Sequence, residues 1–137
     1  IENMKTLAST PGIAGLFLDG TVSAFNVTHL PDLAKAALEL RRDLPLLKKC
    51  TLMGWANQDY LSPRLLPLPL RLEAIRRLEI VRAEDPEFFV GLESLYRVLT
   101  GPVLSDESLE KFKRWKDYCN RMRGFEIETF CPELRGL

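Results

Sequence analysis

The chemistry most within reach of this sequence is the pairing of cations with phosphate or carboxylate oxygens. Between Glu110 and Arg123 six basic residues, Lys111, Lys113, Arg114, Lys116, Arg121 and Arg123, stand against two acidic ones, Glu110 and Asp117. A local excess of that size can meet a polyanion or an acidic partner, with an affinity that falls as salt is added. The same spacing has a second use. Glu107 to Lys111, Glu110 to Arg114 and Asp117 to Arg121 are i, i+4 pairs, which support a solvated helix without any ligand. The molecule as a whole adds no long-range attraction for polyanions, because nineteen Lys and Arg offset nineteen Asp and Glu in 137 residues.

A second binding element is Ser62-Pro63-Arg64-Leu65-Leu66-Pro67-Leu68-Pro69-Leu70. Leucines on an extended, proline-stiffened segment lose little entropy on docking, so Leu65, Leu66 and Leu68 would form a partner site if exposed. The competing expectation is a strap that lies across the helices and closes the core, since a row of exposed leucines invites aggregation.

Nucleophilic and metal chemistry find little support in the spacing. His29 is the one histidine, and Cys50, Cys119 and Cys131 are far apart in the chain, so neither a zinc pattern nor a disulfide framework is suggested. His29 reads as a residue at a helix start, while Cys50 and Cys119 fall on apolar faces where a thiol acts as a small hydrophobe. Free cysteines point to a reducing compartment, hence an intracellular protein, cytoplasmic or nuclear. Asn26-Val27-Thr28 matches the glycosylation acceptor pattern, but no secretory signal precedes it. The longest uncharged stretch, Thr6 to Leu18, is too short to span a bilayer.

Leu16-Phe17-Leu18-Asp19-Gly20-Thr21 resembles the first motif of haloacid-dehalogenase-type phosphatases. That resemblance implies a nucleophilic aspartate two positions before Asp19, where this chain has Phe17, so the covalent step has no nucleophile. Ile13-Ala14-Gly15-Leu16-Phe17 with Asp19-Gly20 is also similar to the motif helix of LAGLIDADG homing endonucleases. There the resemblance implies Asp19 as a metal ligand at a helix seam, but only with a residue inserted, and the basic β-saddle has no counterpart. A tight turn is the simpler expectation for these residues.

The elements that must position these groups are set out by proline. Pro31, Pro45, Pro69 and Pro86 each fall at or beside the start of an amphipathic run, where a proline loses only an amide that would be orphaned anyway. A short helix is expected from Glu2 to Ser9, closed by Thr10-Pro11-Gly12. Asp19-Gly20 between two apolar runs predicts a hairpin over 13–27, with a helix over Ile13 to Leu18 as the alternative. Leu33, Ala37 and Leu40 predict a helix after Pro31. Leu46, Leu47, Cys50, Met53 and Trp55 predict another after Pro45, with Lys48 and Lys49 outward.

Leu70, Ala74, Ile75, Leu78 and Val81 line a third helix, with Arg71, Arg76, Arg77 and Arg82 on its polar side and a Glu73–Arg77 pair. Asp85-Pro86 opens a fourth run carrying Phe88, Phe89, Leu92, Leu95, Tyr96 and Leu99, ended by Gly101-Pro102. Ser105 caps the last, which buries Leu109, Phe112, Trp115, Cys119 and Met122 and stops at Gly124. Phe125 to Phe130 alternates like a short strand. Gly54 and Gly91 inside helical patterns point to close approaches, of another helix or of a second chain.

The expectation is a single, mainly α domain over 1–137, a bundle of about five helices with a small β element, cut from a larger intracellular protein. No constellation of catalytic groups assembles, and no cofactor or metal is expected. The function expected is a protein–protein interaction or assembly module, with another protein as partner and no membrane. The alternative is RNA or DNA binding through the basic face of the 105–123 helix, and an enzyme is not expected.

Overall fold

A computed structural model describes residues 2–54 and 59–137. The chain is predominantly helical with a small parallel sheet. In order it forms α1 (Glu2–Ala8), β1 (Leu16–Val22), α2 (Leu30–Asp43), β2 (Leu47–Gly54), α3 (Leu68–Arg82), β3 (Phe89–Val90), α4 (Leu92–Thr100) and α5 (Asp106–Arg123). Single 3-10 turns lie at Asp59–Leu61, Pro63–Leu65, Ile127–Thr129 and Pro132–Leu134.

Three helix starts follow their expected signals. Pro31 and Pro69 stand in the first turns of α2 and α3, and the Ser105 side chain accepts a hydrogen bond from the Ser108 amide at the start of α5. Gly124 ends α5 in the left-handed region at φ +70°.

Five expectations are corrected. The helix after Pro45 is the strand β2, over Leu47–Gly54; Trp55 lies outside the described residues. Leu16 pairs with Leu47 but Phe17 with Lys49, so Lys48 is an extra, bulged residue. The bulge turns Lys48 and Lys49 outward together and returns Cys50 to the interior, which imitates a helical repeat in the sequence.

The hairpin over 13–27 is a single strand running straight through Asp19-Gly20, and φ at Gly20 is not positive. Gly20 serves packing instead: a Cβ there would sit 2.8 Å from Leu52 Cδ2. The LAGLIDADG-like helix is corrected by the same strand. The run after Pro86 first makes a turn, with the Phe88 amide bonded to Asp85 Oδ1, and then β3. Gly91 at φ +73° sets the start of α4. The strand expected at 125–130 is a 3-10 turn, in which Ile127 is buried and its amide donates to Asn120 Oδ1 at 2.9 Å.

The strands lie in the order β1-β2-β3, all parallel. Parallel crossovers are right-handed almost without exception, and two that advance in one direction place their helices on one side of the sheet. The contacts agree. Gly20, Val22, Leu52 and Gly54 share a face, and a Cβ on Gly20 would lie 3.6 Å from Leu33 of α2, one on Gly54 3.0 Å from Val98 of α4. On that side α3 packs on α2 and α4, around Ala34, Ala37, Leu52, Leu78, Leu95 and Leu99.

Inside α3 the faces differ from expectation: Leu70 is exposed and Arg71 is fully buried. Glu73 pairs with Arg76 at 2.7 Å, and Arg77 reaches Asp32 of α2 at 3.3 Å. Among the described residues no helix is long and apolar enough to cross a membrane.

Candidate functional site

The side of the sheet away from the helices is open. Phe17, Asp19 and Thr21 of β1 with Lys49 and Met53 of β2 are exposed, and Thr51 and Val90 are half-buried. Phe17 keeps 64% of its surface in water and Met53 48%. The pairings Phe17–Lys49, Asp19–Thr51, Thr21–Met53 and Thr51–Val90 set these side chains in rows across three strands. This is an apolar pair framed by one acid and one base. Asp19 stands on that face beside threonines, and at the phosphatase-like nucleophile position Phe17 has no group that can attack.

The other surface of interest lies at the carboxyl end of β1, where open α/β sheets usually place their ligands. Here the loop from Ser23 to His29 meets α5 and the C-terminal turns. Phe25 packs against Phe112 at 5.4 Å and Trp115 at 5.1 Å between ring centres. Phe125 meets Phe130 edge to face at 5.3 Å. Between these rings and Ile127 runs a mostly apolar groove of about 490 Å³, with Arg123 among its lining residues.

Deeper in this corner Cys131 donates to the Phe25 carbonyl at 3.0 Å, and Thr28 Oγ1 donates to Glu133 Oε1. Burial, with Glu133 adding to it, pushes the Cys131 thiol above its ordinary range. A His29 ring nitrogen, the Cys131 sulfur and a Glu133 carboxylate oxygen all lie within 4.8 Å of one another. Sequence spacing missed this group because 102 positions separate His29 from Cys131 and only the fold closes that distance.

The basic residues anticipated between 110 and 123 do not share one face. Lys111 is paired with Glu107 at 2.7 Å and Lys113 with Glu110 at 3.2 Å. Lys116 is buried, where it holds Glu128 at 2.7 Å. Among the described residues Arg114, Arg121 and Arg123 form no ion pair, and all three are exposed. Of the strap leucines, Leu65 and Leu66 are interior, so they are core rather than contact surface, and Leu68 is 39% exposed at the start of α3. Cys50 and Cys119 are buried thiols, as their apolar faces imply. Burial, helped by Asp19, pushes Cys50 up to about 11.

The Lys116–Glu128 pair fastens the C-terminal turns to α5. Its hydrogen bond holds Glu128 below the ordinary value of 4.5. A depressed carboxyl contributes stability in full above pH 4.5 and loses it as the pH falls through the lower folded value. Glu128→Gln is expected to cost about 2 kcal/mol at neutral pH. It should also flatten the decline of the urea midpoint on acidification below pH 4.5; a decline as steep as in the parent chain would assign the acid sensitivity elsewhere.

Comparison with known protein families, with curated proteins and with solved structures finds no significant match to this chain. The fold defines an architectural class: a mainly helical protein with a one-sided, three-stranded parallel sheet.

Proposed function

We propose that this chain is a protein-interaction module whose partner lies across the open face of the sheet. One observation carries the proposal: a parallel sheet, a structure ordinarily covered on both sides, is packed by helices on one side only and presents Phe17 and Met53 on the other. Aromatic residues and methionine are enriched at the centres of protein interfaces. Asp19 and Lys49 beside them supply opposite charges that fix orientation and reject mismatched partners. The free arginines of α5 lend the polyanion alternative less support, because Asp117 stands between Arg114 and Arg121 and the helix's Lys111 and Lys113 are taken up by Glu107 and Glu110.

A photo-reactive phenylalanine analogue at position 17 tests this, with a second analogue at Ile80, an exposed residue of α3, as the reference. Position 17 is expected to give a polypeptide adduct of discrete mass that unlabelled chain competes away, and position 80 is expected to give none. Equal labelling from both positions, no adduct, or adducts to nucleic acid alone would overturn the proposal.

A further inference from the structure

We propose that His29, Cys131 and Glu133 form a binding site for a divalent transition-metal ion of borderline softness, zinc foremost. Each residue brings one donor atom, an imidazole nitrogen, a sulfur and a carboxylate oxygen, and the three lie within 4.8 Å of one another. A tetrahedral zinc ion with bonds of about 2.0–2.3 Å spaces its donors by about 3.5 Å. The site therefore closes by shifts of about 1 Å at the ends of the side chains. Two non-oxygen donors out of three disfavour magnesium and calcium, which take all-oxygen shells.

Local structure commits these atoms only lightly: Cys131 donates one hydrogen bond and Glu133 accepts one. His29 is the residue before α2, yet its side chain makes no capping hydrogen bond and is exposed. Cys131 and Glu133 flank Pro132 at the start of the last 3-10 turn, which presents both toward the Thr28–His29 corner. The Thr28 hydroxyl holds Oε1 of Glu133, the kind of outer contact that orients a metal-binding carboxylate. Cys131 is buried, so its sulfur meets an ion from the protein side while His29 closes the site from the solvent side.

Binding balances simply. Neutral His29 donates a lone pair, ionised Glu133 an oxygen, and the Cys131 thiol releases its proton to solvent as the metal–sulfur bond forms. The hydrogen bond from Cys131 to the Phe25 carbonyl is lost in that step. Three protein ligands leave a fourth position for water or another ligand beside the aromatic groove, and the ion ties the C-terminal turns to the start of α2.

The test titrates the intact chain with zinc against a coloured chelator and with cobalt(II) as a spectroscopic substitute. Expected are one ion per chain, a thiolate-to-cobalt charge-transfer band, and release of one proton per ion in weak buffer. His29→Ala and Cys131→Ser should each weaken zinc at least tenfold, and Thr28→Val about tenfold. Cys119→Ser should change nothing. His29→Ala keeps the proposal falsifiable if Cys131→Ser misfolds, because the His29 side chain is exposed and caps nothing. Affinity no tighter than millimolar, a cobalt spectrum without the thiolate band, or unchanged zinc affinity in His29→Ala would overturn it.

Discussion

Arg71→Ala is expected to lower the stability of this protein by about 3–5 kcal/mol, as much as truncating a fully buried aromatic of its core. Arg71 is fully buried and, among the described residues, forms no ion pair. Its Nε donates to the Leu66 carbonyl at 2.9 Å, and Nη1 donates to Leu99 at 2.5 Å and Gly101 at 2.8 Å. Leu99 and Gly101 stand at the end of α4, where unsatisfied carbonyls gather the negative end of the helix dipole. The helix terminus takes the place of an acid. Burial, and then the neighbouring Arg64, lower the pKa of this guanidinium, but arginine keeps its proton at any ordinary pH.

Truncation leaves three carbonyls without a donor and opens a cavity between α3 and α4. Arg71→Met separates the two terms, because it keeps most of the volume and none of the hydrogen bonds. Denaturant unfolding should place it between the parent chain and Arg71→Ala. Equal stability of Arg71→Met and the parent chain would show that the carbonyls do not need this side chain.

That residue also shows where sequence patterning reaches its limit. An arginine between Leu70 and Leu72 reads as solvent-facing, and nothing local reports that a helix end 28 to 30 residues further along the chain will supply its hydrogen-bond acceptors. Capping chemistry is different in kind, because a cap is satisfied within its own four residues, and Ser105, Pro31, Pro69 and Gly124 all act as their positions imply. Helix α5 and its boundaries were therefore legible, while β1 and β2 were not.

In β2 a bulge at Lys48 changed the apolar period from two to something near that of a helix. In β1 an Asp-Gly pair, the usual mark of a turn, stands mid-strand because Leu52 leaves no room for a Cβ at position 20. Of the binding residues named from sequence, Arg114, Arg121 and Arg123 are free and exposed. Lys116, Leu65 and Leu66 are inside, held there by Glu128 and by the packing of α3 and α4. The open sheet face could not be read without strand order, since exposure of Phe17 depends on which side the crossovers take.

Phe17→Asp combined with Met53→Asp is expected to reduce partner affinity at least a hundredfold while leaving the melting temperature within a few degrees. Covering the exposed part of Phe17, 64% of its surface, removes on the order of 100–150 Å² from water, which at about 25 cal/mol per Å² is about 3 kcal/mol. A hundredfold change in affinity corresponds to about 2.7 kcal/mol, so Phe17 alone nearly accounts for it. Met53 adds a contribution of the same order, and a carboxylate desolvated at either position adds a penalty. Folding loses little, because both side chains already stand in water.

The reference variant is Phe130→Asp, which places a charge on an equally exposed aromatic at the carboxyl-end groove. Surface-immobilised chain and the free polypeptide identified from the position-17 adduct provide the binding measurement. Loss with the Phe17 and Met53 pair but not with Phe130 assigns the partner to the sheet face, whereas the reverse pattern would move it to the groove and withdraw the sheet from the interface.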